Sequence, residues 1–84
     1  MMFKSEKEVQ RIRELYPVGT EIVLKRLNDP YRDVPSGTIG KVTRVDDAGQ
    51  IHWTGCGLAL HVDEDVFYRI DKMGFLIDED GKRI

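Results

Sequence analysis

One cysteine, Cys56, stands in the whole chain, so no intrachain disulfide can form and a small domain must hold together without covalent staples. No apolar run approaches the ~18 residues of a membrane-spanning helix. The first residues, Met-Met-Phe-Lys-Ser-Glu-Lys-Glu, are charged and lack the apolar stretch and small-residue cleavage site of a secretory signal. These three shortages point to a cytoplasmic protein with no membrane contact. Aromatic residues make up 8% of the chain, with one tryptophan, so a small core needs most of them. Missing too are a glycine loop ending in Gly-Lys-Ser/Thr, a serine, histidine and acid set around a nucleophile turn, and the ligand spacing of a calcium loop. The sequence therefore predicts no enzyme, no catalytic residues and no cofactor.

What is present is the composition of a globular protein, 40% hydrophobic and 33% charged over 84 residues. This length allows one domain, residues 1–84, and buries only about 60–65% of the extended surface. The net charge of −2 is unevenly spread. Residues 1–45 carry nine Lys/Arg against six Asp/Glu, and residues 46–84 carry four against nine. Such a chain is dipolar unless folding mixes its halves.

Ser5-Glu6-Lys7-Glu8 fits a reciprocal helix cap, and Val9, Ile12 and Leu15 or Tyr16 recur at helical spacing, predicting a short helix over residues 5–15. Pro17 takes Tyr16 out of the helix. From Gly19 to residue 70 the pattern changes to strands. Ile22 and Leu24 alternate with Glu21, Val23 and Lys25. Residues 28–37, with two prolines and several polar turn formers, form the longest loop. Ile39, Val42 and Val45 lie three apart, which calls for a bulge or sharp coil, and Gly40 is the residue expected to permit it. Asp46-Asp47-Ala48-Gly49 reads as a turn, Ile51 and Trp53 share one face, and Gly55-Cys56-Gly57 turns the chain again toward Leu58-Ala59-Leu60. Residues 62–65 suggest one helical turn before a closing strand at 66–70, a habit of SH3-like barrels. The tail, residues 71–84, has the shape of an acidic-tipped hairpin, either an added sheet edge or a strand for a partner. No internal repeat is evident. The expected fold is mostly β: a small antiparallel SH3-like barrel over residues 19–70 with a short N-terminal helix and a hairpin-like tail.

The runs Tyr16-Pro17-Val18-Gly19-Thr20, Asp29-Pro30-Tyr31, Gly37-Thr38-Ile39-Gly40, Val45-Asp46-Asp47-Ala48-Gly49-Gln50-Ile51-His52 and Gly57-Leu58-Ala59-Leu60 together carry a resemblance. Over about residues 12–70 the chain resembles a small bacterial domain-of-unknown-function family often found in phages and other mobile elements of Gram-positive bacteria. The resemblance implies an SH3-like barrel and brings no activity or catalytic residues. The helix and the tail fall largely outside it. The hairpin at Trp53 is shorter than in relatives.

Candidate chemistry is sparse. His52, Cys56 and His61 are the only soft-metal set, and they lack a fourth ligand, so no metal site is expected. Lys25, Arg26, Arg32, Lys41 and Arg44, with the Tyr31 ring, could meet nucleic acid, although a pI of about 5.6 works against phosphate binding. The reading favoured by the sequence is a non-enzymatic protein-binding module, an accessory or host-interaction protein of a phage or mobile element. Its expected contact residues are Tyr31 and Arg32 in the long loop, with Arg44 and Tyr68. The alternatives are a nucleic-acid-binding barrel and a phage inhibitor of a host nuclease or defence system.

Overall fold

The computed structural model describes residues 4–28 and 33–84. Ser5 takes extended backbone (φ −66°, ψ 159°), and its hydroxyl oxygen accepts from the Glu8 amide at 3.2 Å, opening helix α1, Glu6–Leu15. The reciprocal half of the cap differs from expectation. The Glu8 carboxylate meets the Ser5 hydroxyl, at 3.3 Å. Tyr16 leaves the helix, and its amide still donates to the Ile12 carbonyl at 2.9 Å. Val9, Ile12 and Tyr16 form the buried stripe, which packs on the protein's own sheet.

Five strands follow among the described residues: β1, Glu21–Arg26; β2, Ile39–Val45; β3, Ile51–Trp53; β4, Val66–Ile70; and β5, Leu76–Ile77. They form one sheet in the order β3-β2-β1-β4-β5, with every pairing antiparallel. The core lies on the face under α1, where Ile22, Leu24, Val42, Ile51, Trp53 and Leu60 join Ile12 and Tyr16. Trp53 is buried, and its indole N–H donates to the Leu58 carbonyl at 3.0 Å. A turn at residues 62–64, in which the Glu64 and Asp65 amides donate to the His61 carbonyl at 3.2 and 2.9 Å, leads into β4.

The expected barrel is not closed. Strand β3 has only three residues, and after Thr54, whose amide still donates to the Lys41 carbonyl at 3.0 Å, the chain bends through residue 58, so among the described residues Leu60 alone bridges the outer side of β3, at Ile51. The tail is an added sheet edge: β5 pairs with β4, and Arg83 folds back to bridge Ile77. No helix among the described residues is long and apolar enough to cross a membrane.

The awkward spacing in β2 is resolved differently from expectation. The register slips between Val42 and Arg44, at Thr43 and not at Gly40, while Ile39 stays outside at 59% exposure and Val42 enters the core. Gly40 serves close approach. A Cβ there would come within 2.7 Å of the Gly55 Cα and 2.8 Å of the Trp53 ring.

A short repeat exists that hydropathy does not reveal. Asp46, Asp71 and Asp78 each begin an Asp-x-x-Gly loop, closed by Gly49, Gly74 and Gly81 at φ of 80°, 87° and 82°. In all three the glycine amide donates to the aspartate carbonyl, at 3.0 to 3.1 Å. One carboxylate oxygen also accepts from the amides two and four residues on, at 2.9 to 3.0 Å. An aspartate at the start suits these loops because its carboxylate replaces the backbone acceptors that a tight turn cannot supply.

Asp46 has a further partner, the His52 Nε2 at 2.9 Å. Burial opposes its charge, but the hydrogen bonds from His52, Gln50 and Ala48 outweigh it and hold the carboxyl below the usual aspartate range. A depressed carboxyl stabilises the fold at pH above the unfolded value of ~3.9, and that stability is lost as pH falls through the lower folded value. The stability advantage of the natural protein over Asp46→Asn should therefore be present at about pH 5 and vanish by about pH 2 in urea unfolding. A pH-independent difference would show that the carboxylate charge contributes nothing.

The charge asymmetry is partly cancelled by folding. Lys4–Asp63 at 2.6 Å, Arg11–Glu79 at 2.9 Å and Arg13–Asp47 at 2.9 Å each join the basic first half to the acidic second half. At least one partner of each pair is well exposed, so each contributes little to stability, and their effect is mainly on surface charge.

Candidate functional site

A hollow of mixed aromatic, acidic and basic lining lies beside β4. In an antiparallel ladder a residue sends both its N–H and its C=O to the same side, and successive residues alternate. The Leu24 amide donates to Thr38 and its carbonyl accepts from Gly37, so Leu24 faces β2, and its partner Phe67 turns its backbone away from β1. Arg69, two residues on, faces the same way and pairs with Ile77. Strand β5 is two residues long and the chain turns off at Asp78, so no described residue pairs with the Phe67 N–H and C=O.

A slot of about 220 Å³ runs along this open edge, lined among others by Tyr16, Phe67, Tyr68, Arg69, Asp78 and Glu79. Phe67 and Arg69 come from the helix-facing side of β4, and Tyr68 from the other. Side chains from both faces can line one hollow only where the strand edge between them is uncovered.

The floor is aromatic. The Tyr16 and Phe67 ring centroids are 5.6 Å apart at 57°, and the Arg69 guanidinium carbon lies 5.9 Å from the Tyr16 centroid. Burial raises the Tyr16 pKa, as does the charge of Glu79, against the opposing Arg69 and Arg11. The phenol thus stays protonated and can donate. Arg69 donates to the carbonyls of Leu15 at 3.3 Å, Asp78 at 2.6 Å and Glu79 at 3.1 Å, tying the end of α1 to the tail turn. At the far end of the slot, Asp65 accepts from the Asn28 amide at 2.7 Å and the His61 amide at 2.8 Å, one on each carboxylate oxygen.

Residues 5–70 match the DUF4314 family, described as a domain of unknown function. The chain belongs to that family. The match starts seven residues before the expected beginning of the resemblance, so α1 is part of the DUF4314 domain, and residues 1–4 and the tail lie outside it. Tyr16, Phe67, Tyr68 and Arg69 fall within the DUF4314 match, while Ile77, Asp78 and Glu79 complete the slot from beyond it. No curated protein and no solved structure matches this DUF4314 chain.

Of the four residues expected to make contact, Tyr31 and Arg32 lie outside the described residues. Tyr68 lines the slot. Arg44 does not join it: it is exposed on β2 opposite His52, and β1 stands between β2 and β4. Lys41 faces Glu21 in the register. His52 is engaged with Asp46, and the Cys56 thiol lies 3.5 Å from the Leu58 carbonyl. Among the described residues no three His, Cys, Asp or Glu side chains converge as metal ligands.

Tyr16 and Arg69 line this hollow although neither is among the expected contact residues. A signal for Arg69 was present: alternation along Val66-Phe67-Tyr68-Arg69-Ile70 puts a charged residue on the same face as Phe67. An arginine on the inward face of a strand needs acceptors, and here they are backbone carbonyls.

Proposed function

We propose that the chain is a non-enzymatic module that binds another protein through the aromatic slot beside β4. The observation that carries this reading is the slot itself, an aromatic-floored hollow next to a strand edge whose backbone groups at Phe67 are unpaired among the described residues. Tyrosine at such a rim combines apolar area with a polar tip, the character of residues that dominate protein contacts. Two of the groups that could do chemistry are engaged in the fold: both oxygens of Asp65 hold amides, and His52 meets Asp46.

An SH3-like arrangement is part of the proposal. The order β4-β1-β2-β3, the Leu60 bridge beyond β3 and the turn at residues 62–64 before β4 support it. The resemblance adds a phage or mobile-element setting, where the partner would be a host or phage protein. The acidic residues that line the slot, Asp65, Asp78 and Glu79, disfavour nucleic acid at this place.

The test is affinity capture from host lysate, with and without nuclease, using the natural protein, Tyr68→Ala, and a variant with Tyr31 and Arg32 both changed to alanine. A discrete protein that survives nuclease and is reduced at least about tenfold by Tyr68→Ala, a loss of ~1.4 kcal/mol, is the expected result. Loss of the partner only in the Tyr31 and Arg32 variant would move the site to the long loop. Recovery of nuclease-sensitive material alone would replace this reading with nucleic-acid binding.

A further inference from the structure

The geometry points to a mode of recognition for this slot: an extended, cationic segment of the partner adds as a strand to the open edge of β4 at Phe67. The inference rests on the protein-binding reading above and specifies the chemistry of what is bound.

Three observations converge on it. The Phe67 N–H and C=O point out of the sheet edge where β5 ends, and an incoming strand can satisfy both with one residue of its own. The open stretch centres on Phe67, and residues 66–68 of β4 span about 10 Å at ~3.4 Å per residue, the length of three residues of an extended chain. Alternate side chains of that segment would face the Tyr16 and Phe67 rings, which are 5.6 Å apart and suit an apolar or aromatic group.

Charge selects the class of segment. Three acidic residues line the slot, Asp65, Asp78 and Glu79, against one basic residue, Arg69, whose guanidinium is already shared among three backbone carbonyls. Arg11 offsets Glu79 in part, but that pair is exposed on both sides and screened. The rim keeps a negative balance. A strand with lysine or arginine between its apolar positions is complementary, and one with aspartate or glutamate there is repelled. The edge is short and flanked by acidic turns, features that discourage pairing between identical copies of this chain.

Selection of a displayed random-heptapeptide library on the folded chain tests this. The expected peptides alternate apolar and basic residues, and the best of them, added to the protein, slows amide exchange at Phe67 at least tenfold. Glu79→Lys should weaken that peptide at least fivefold at low salt, with the difference shrinking as salt rises. Glu79 is exposed and holds only a surface ion pair, so this variant keeps the fold. No enrichment, enrichment of acidic peptides, or binding that leaves Phe67 exchange unchanged would each overturn the inference. A lysate partner that depends on Tyr68 but leaves Phe67 exchange unaltered would remove strand addition while keeping the binding module. Failure of lysate capture would count against the module itself.

Discussion

Gly40→Ala is expected to destabilise the protein by about 3 kcal/mol, the upper part of the range for overpacking a filled core. The new methyl would press on the Gly55 backbone, with its Cα 2.7 Å away, and on the Trp53 ring at 2.8 Å. Backbone cannot rotate aside as a side chain can. The Trp53 ring is held from the other side by its hydrogen bond to Leu58. A fold of this size has only about 4–12 kcal/mol in total, so the thermal midpoint should fall by roughly 12–24 °C. Gly57→Ala is the control: a Cβ there meets nothing within 4 Å and its φ is not positive, so its midpoint should move little. If the Gly40 variant melted like the Gly57 variant, the close approach of residues 40 and 55 would be wrong.

Asp65→Ala should cost a similar amount, about 3 kcal/mol, because two hydrogen bonds to a charged acceptor are lost together. Asp65 is buried, at 9% exposure, and its two oxygens hold the Asn28 amide after β1 and the His61 amide before β4. Removing the carboxylate leaves both donors without their acceptor and loosens the start of the long loop from the turn at residues 62–64. Asp65→Asn keeps one acceptor oxygen and should cost roughly half as much, since hydrogen bonds to a charged group contribute ~1.5–3 kcal/mol each. Urea unfolding of the three proteins measures this directly. A loss below about 1 kcal/mol for Asp65→Ala would mean that water replaces the carboxylate at both amides.

Much of the fold is legible from local pattern. Ser5 and Glu8 mark the start of α1, Ile22 and Leu24 mark the buried face of β1, and Ile51 and Trp53 share the core while His52 points away. These succeed because each depends on neighbours close in sequence. The role of Gly40 is not legible in this way, because it depends on Gly55, fifteen residues away and in contact only after β2 and β3 pair. The turn before β4 and the family resemblance lead to the expectation of a closed barrel, while the short β3 and the bends at residues 54–58 leave the sheet open.

The site was less legible than the fold. Tyr68, an expected contact residue, lines the slot, yet the slot exists because β5 stops after two residues, a length that hydropathy does not set. Asp78 stops it: its carboxylate organises the turn that takes the chain away from β4. The recurring Asp-x-x-Gly spacing was readable, and recognising it would have placed this turn and the end of β5. Tyr16 joins the site from the far end of the chain, through packing of α1 that no strand pattern encodes.

The measurement that tests this account most directly is native-state amide hydrogen exchange at residues 66–70 of the free protein. With the β4 edge open at Phe67, its amide should exchange at least about 100-fold faster than those of Tyr68, which pairs with Val23, and Arg69, which pairs with Ile77. Equal protection of Phe67 and its two neighbours would contradict the account, because the edge would then be covered and the slot closed to an added strand.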